Sequence, residues 1–189
     1  MGDRAATGGF DPSGIDIDAW EKLERQLEET IPNYDRVNRL MTFGQDKHWR
    51  RNVRNHASAG MKVLEVGCGP GSFAEDLTDL DVTCLDPSSE MLNVAKKRVD
   101  AARESRGELP AHYIEAIAES IPCKDNTFDM VFCLFSFRDF QDKKKGLSEI
   151  YRVLKPGGRL VICDAGKANW VHGLGGRIWM ATVVQWIAR

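Results

Sequence analysis

No two of the five cysteines stand close enough for a Cys-x-x-Cys pair, and an odd number does not suit a framework of bridges. Cys68, Cys84, Cys123, Cys133 and Cys163 therefore read as reduced core or loop thiols of a cytoplasmic protein. Four histidines (His48, His56, His112 and His172) are scattered without the spacing of metal ligands, so no metal site is expected. There is no surplus of positive charge. Lys plus Arg number 26 against 28 Asp plus Glu, a net charge of −2, which gives no support to a nucleic-acid groove or other polyanion partner. No apolar run reaches the length of a bilayer span, and no apolar stretch follows Met1 as in a secretory signal. Ala6 stands where N-myristoylation wants Ser or Thr. No internal repeat is visible. What remains is a globular composition, 42% hydrophobic and 29% charged over 189 residues, which points to one domain and excludes general disorder.

The chain divides by periodicity. Residues 1–15 are Gly-rich with few apolar residues and read as a mobile tail. Residues 16–60 read as a helical cap. Asp16 or Asp18 caps a helix to about residue 30, with Trp20, Leu23 and Leu27 on one face. Pro32 opens a second helix that ends near Phe43-Gly44, and a third runs over 46–59 before Gly60. From Met61 to residue 168 strands and helices alternate. Strands are expected at 62–66, 82–85, 111–117, 130–135 and 159–163. Helices are expected at 72–80, 88–102 and 142–154, the last stopped by Lys155-Pro156-Gly157-Gly158. Strands without alternation, separated by amphipathic helices, predict an α/β fold. Its centre is a doubly wound, Rossmann-like parallel sheet covered on both faces.

The sharpest motif is Glu65-Val66-Gly67-Cys68-Gly69-Pro70-Gly71, at the end of the first strand. Glycines there let the backbone turn tightly and approach a ligand, and the helix expected at 72–80 would offer free N–H groups. A dinucleotide fingerprint needs G-x-G-x-x-G/A, and Ser72 stands in its third place, so a nicotinamide oxidoreductase is disfavoured. Asp86 ends the second strand, 19 residues after Gly67, where a carboxylate can accept hydrogen bonds from both ribose hydroxyls.

The acidic-x-G-x-G-x-G loop resembles motif I of the class I S-adenosylmethionine-dependent methyltransferases. Further stretches resemble the ubiquinone/menaquinone biosynthesis C-methyltransferase family, over about residues 31–167. They are Tyr34-Asp35 with Asn38, Leu40-Met41-Thr42-Phe43-Gly44 and Trp49-Arg50-Arg51 before the first strand, and Ala118-Glu119-Ser120-Ile121-Pro122 with Asp125-Asn126-Thr127-Phe128-Asp129. They continue with Phe135-Ser136-Phe137-Arg138-Asp139 and with residues 151–160. The resemblance implies methyl transfer from S-adenosylmethionine, leaving S-adenosylhomocysteine, to a ring carbon of a prenylated quinol. It implies that Glu65, Gly67, Gly69, Gly71, Asp86, Met91 and Ala118 hold the cofactor. It implies that Arg138 supports a developing phenolate and that Tyr34 lines the substrate site from the N-terminal helices. Asp139 stands where the family usually has Asn, and either serves as a base or neutralises Arg138. Ile117 stands where the family has Asp or Asn against the adenine amino group, so one hydrogen bond is missing. The Ala118 backbone N–H is the alternative contact.

Residues 169–189 form an expected helix that is apolar almost all round, and the closing strand pair of the family would be incomplete. Three readings stay open. The chain is a piece of a longer protein, the helix is buried against a second copy, or it rests peripherally on a membrane. Lys47, Arg50, Arg51 and Arg54 read as a solvated basic face that could assist such docking. Two other functional readings also stay open: a methyltransferase with an O or N acceptor, and a cofactor-binding but inactive partner subunit.

Overall fold

A computed structural model describes residues 33–164, apart from the Met41 side chain. The tail at 1–15, the helix at 16–30, most of the final apolar segment's context and that segment itself lie outside the described residues. Two short helices, α1 (Tyr34–Met41) and α2 (Asp46–Arg54), precede the sheet. They are followed by β1 (Lys62–Val66), β2 (Asp81–Asp86), α3 (Ser89–Glu104), β3 (His112–Glu115), β4 (Phe128–Leu134), α4 (Lys143–Val153) and β5 (Leu154–Cys163). All five strands are parallel, in the order β3-β2-β1-β4-β5. The chain leaves β1 toward one side of the sheet and returns on the other, so β1 and β4 flank the switch point where open α/β sheets place ligands.

Burial divides β1 cleanly. Val63 packs on one face with Val53 and Ala57 of the α2 region and with Leu92, Ala95 and Val99 of α3. Leu64 and Val66 pack on the other face with Ile121, Phe128, Phe140, and Ile150 and Val153 of α4. Both faces are covered, which is the doubly wound layer the sequence predicts. Capping follows ordinary chemistry. Ser88 Oγ accepts from Met91 N at the start of α3, and the Asp142 carboxylate accepts from Lys144 N and Lys145 N at the start of α4. The Lys155-Pro156-Gly157-Gly158 turn lies inside β5 as an irregularity, because Leu154 pairs with Phe128 and Arg159 with Met130.

Two expectations are corrected. No α-helix forms over 72–80, where only a 3-10 turn at Ala74–Asp76 is present. Asp79 has a positive φ of 59°, and the Leu77 and Thr78 carbonyls are claimed by arginines from other elements. The third helix is also shorter than 46–59 and ends at Arg54. Among the described residues no helix is long and apolar enough to cross a membrane.

Arg103 shows how the 77–80 segment is held. Its guanidinium is buried, donates to the carbonyls of Leu77 and Leu80 at 3.3 and 2.8 Å and to that of Leu109, and pairs with Glu108. Replacing it by Met leaves carbonyls and a carboxylate unpaired in the interior. Arg103→Met is expected to cost about 3 kcal/mol or more. Calorimetry should show this as a melting point roughly 10 °C lower.

Candidate active site

β1 runs straight into the glycine loop, and the N–H groups of Gly67 and Cys68 donate to the Leu85 carbonyl at 2.7 and 3.0 Å. The loop thus crosses the end of β2. Gly67 has φ +70°, and a Cβ there would lie 2.4 Å from Ser136 Cβ. That close approach is used, because Ser136 Oγ donates to the Val66 carbonyl at 2.7 Å and ties the loop to the chain leaving β4. Asp86 supplies the second tie. Its two carboxylate oxygens accept from Gly69 N at 2.7 Å and from Ser88 N at 3.0 Å. One buried carboxylate therefore joins the glycine loop to the start of α3. Cys68 is buried in the loop. Its contact with Cys84 and its burial push the thiol well up, so it is a packing residue and not a reactive one.

The N-terminal helices are fastened over this loop by arginines. Ser72 Oγ donates to Asp35 at 2.6 Å, and Arg98 bonds the same carboxylate, Ser72 Oγ and the Pro70 carbonyl. Burial alone would raise the Asp35 carboxyl, but the Ser72 and Arg98 hydrogen bonds outweigh it and hold it below its ordinary value. Arg50 donates to the Ser72 carbonyl at 2.8 Å, and Arg54 to those of Ala57 and Thr78. Arg50 and Arg54 are anchors, which corrects their reading as a solvated basic face. The tilted ring contact of Trp49 with Phe135, 6.2 Å between centroids, joins α2 to the lip of the site.

Between these parts lies a cavity of about 230 Å³. Of the residues singled out from the sequence, Tyr34, Gly67, Gly69, Asp86, Met91, Ala118, Arg138 and Asp139 all line it. Glu65 and Gly71 do not. Gly71 serves α3 instead, since a Cβ there would lie 3.0 Å from Ala95 Cα. Tyr34 reaches over the loop, its hydroxyl 3.4 Å from where a Cβ on Gly69 would stand. Burial holds the Tyr34 hydroxyl above the ordinary phenol range. Met91, Ile117 and Ala118 make one end of the cavity apolar. Arg138 sits on the 3-10 turn Phe137–Asp139 at the other side, exposed, with Asp164 at 3.5 Å and Asp139 at 3.9 Å from its guanidinium. Burial raises the Asp139 carboxyl, Arg138 and Lys143 pull it down, and Asp164 adds to the rise.

Glu65 is buried beneath the loop, 2% exposed. Burial pushes its carboxyl up to about 8, against the pull of Arg50 and with the repulsion of Asp86 and Asp76. Its Oε2 has no hydrogen-bond partner, and Nδ2 of Asn38 has none either. Asn38, Ser136, Pro87 and Phe140 line the cavity without having been assigned a role from sequence. The signal for Asn38 was available, since it lies one helical turn after Tyr34. That for Ser136 was not, because its contact with Gly67 spans 69 positions of chain. The residues present fit an adenosyl amino acid. The apolar lining at Met91, Ile117 and Ala118 suits a purine, Asp86 a ribose, and the Asn38 amide lines the same cavity.

The family model of the ubiE/COQ5 methyltransferase family matches residues 20–173. The chain is 39% identical over 144 residues to a demethylmenaquinone methyltransferase of Thermus thermophilus, covering 73% of this chain and 63% of that protein. It is 35% identical over 159 residues to a ubiquinone/menaquinone biosynthesis C-methyltransferase of Geotalea daltonii, covering 80% of this chain and 66% of that one. It thus spans just under two thirds of the length of these curated relatives. Among solved structures, a SAM-dependent methyltransferase of Thermotoga maritima superposes with a TM-score of 0.64 at 23% identity, over 87% of this chain and 70% of that one, a likeness of fold.

The Glu65 carboxyl has a consequence for stability. Below pH about 4.5 it is protonated both folded and unfolded, so its contribution is constant there. Between about 4.5 and 8 the unfolded chain releases the proton while the folded one keeps it, so this group's contribution is lost as pH rises. Glu65→Gln removes that dependence. Urea unfolding should show the variant gaining on the wild-type chain steadily from pH 5 to pH 8. A constant difference across that range would contradict the assignment.

Proposed function

The chain belongs to the ubiE/COQ5 methyltransferase family, and on that premise we propose that it methylates a ring carbon of a prenylated benzoquinol or naphthoquinol, using S-adenosylmethionine. The observation that carries the reading is the single cavity wall in which Asp86, the glycine loop and Arg138 meet. The cofactor, when bound, supplies a sulfonium methyl group reactive enough to need alignment more than activation. Its ribose falls to Asp86, its purine to the apolar end at Met91, Ile117 and Ala118. With Ile117 in place of a polar residue, that end recognises shape. Two relatives named for demethylmenaquinone or ubiquinone/menaquinone methylation support the quinol as acceptor.

On this reading the chain's own part is to exclude water, hold the acceptor and manage one proton. Phe135 and Phe140 line the cavity with apolar surface, and Trp49 backs Phe135. Arg138, too basic to act as a proton acceptor, favours the quinol hydroxyl as its phenolate and so enriches the ring carbon. Two carboxylates face that guanidinium, which offsets its charge. Asp139, raised by burial, is the group of the pair suited to take the quinol proton. Protonation of Asp139 then leaves Arg138 facing Asp164 and the phenolate. Once the ring carbon has taken the methyl, its own hydrogen leaves as a proton to solvent and Asp139 returns its proton to the oxygen, so one proton is released overall.

The test is turnover of a short-chain demethylated quinol, followed by mass spectrometry of the product. Binding of S-adenosylmethionine with no methylation of any quinol would favour an inactive partner subunit or a different acceptor. Asp86→Ala is expected to weaken S-adenosylmethionine binding by about ten- to a hundredfold by calorimetry. Arg138→Ala is expected to abolish turnover while leaving that affinity within about twofold of wild type.

A further inference from the structure

Among the described residues, two buried side-chain polar atoms have no hydrogen-bond partner: Oε2 of the Glu65 carboxyl and Nδ2 of Asn38, a donor. Both side chains act electrostatically on the Tyr34 hydroxyl, as do Arg50 and Asp86. Orphaned buried groups are costly and are rare unless something else satisfies them. Of the two residues Asn38 lines the cavity and Glu65 does not, so the amide is the one that a ligand can reach, and a donor suits a ligand carboxylate. Their place agrees with this. Tyr34 lies against Gly69 of the glycine loop, and Asn38, one helical turn on, lines the same cavity.

The two orientations of an amide differ only by exchange of oxygen and nitrogen. As placed, Nδ2 lies at the buried side, close enough to the Tyr34 hydroxyl to favour its ionised form but short of a well-formed hydrogen bond. A half-turn of the amide puts Oδ1 there, able to accept from the Tyr34 O–H, and turns the NH2 toward the cavity that Asn38 lines. We propose that Asn38 is a specificity-determining residue whose side-chain amide, oriented by Tyr34, donates a hydrogen bond to the carboxylate at the amino-acid end of the cofactor. The proposal rests on the reading of the cavity as an S-adenosylmethionine site and adds a residue to it. Arg50, held close by through the Ser72 carbonyl, lends positive potential to the same end.

The experiment compares two ligands in calorimetry with the full chain. S-adenosylhomocysteine carries the amino-acid end, and 5′-methylthioadenosine shares the adenosine and thioether but lacks it. Asn38→Leu is expected to weaken S-adenosylhomocysteine about tenfold and to leave methylthioadenosine within about twofold, which also shows that the variant is folded. Asn38→Asp is expected to weaken S-adenosylhomocysteine at least as much, through repulsion between carboxylates. Tightening by Asn38→Asp would mean that the amide oxygen meets the ammonium, and would overturn the proposal. So would an equal loss of both ligands in Asn38→Leu, or no loss of either. Failure of the wild-type chain to bind S-adenosylhomocysteine would overturn the cofactor reading itself, a result distinct from all of these.

Discussion

The site depends on one buried carboxylate. Asp86 accepts from Gly69 N and Ser88 N with its two oxygens, so the glycine loop, the end of β2 and the start of α3 are fixed to one another through a single group. Such charge-assisted bonds to backbone N–H groups are short and strong when buried. They leave further lone pairs on each oxygen, since an ionised carboxylate has about four acceptor sites. The same residue shapes both the loop and the wall of the cavity. The loop is gripped from its other side by Ser136, which reaches the Val66 carbonyl across the space a side chain on Gly67 would fill.

Arginines do the corresponding work for the N-terminal helices. Arg98 from α3 meets Asp35, Ser72 and Pro70, and Arg50 from α2 meets Ser72 from the other direction. Ser72 is the common point, with its hydroxyl and its carbonyl both engaged. Planar guanidinium groups suit this task because each presents several donors in fixed directions. The α1 helix has only eight residues and would not be stable alone, so its position over Gly69 is set by these contacts.

Much of the fold was legible in the sequence. β1 was read at its observed bounds, 62–66, because an apolar run meets the first glycine of the loop there. Asp142 and Ser88 mark helix starts by their side-chain chemistry. The segment 72–80 was misread for an instructive reason. Phe73, Ala74, Leu77 and Leu80 are all buried, so the 3,4 spacing reported the burial correctly. The backbone is nonetheless not α-helical: it makes only the 3-10 turn at Ala74–Asp76, Asp79 takes a positive φ of 59°, and the Ser72 carbonyl, which a helix would use, accepts from Arg50 instead. Periodicity senses which residues face the core and is blind to distant donors. The same blindness hid Ser136 and the anchoring roles of Arg50 and Arg54.

The loss of that helix bears on how the cavity must bind. A helix after the glycine loop would offer free N–H groups and a favourable dipole, and a 3-10 turn of three residues offers neither at useful strength. Ile117 removes a polar contact at the opposite end. Directional recognition is thereby concentrated on Asp86 in the middle and on the residues that α1 brings over the loop, Tyr34 and Asn38. Those residues reach the site only because the Asp35–Arg98–Ser72 contacts hold α1 down. The segment that failed to become a helix is thus the one on which the N-terminal helices are seated. What the cavity lacks in dipole from its own loop it gains in side chains from α1, held in place by Arg98 through Asp35 and Ser72 and by Arg50 through the Ser72 carbonyl, which a helix would have used for its own N–H four residues on.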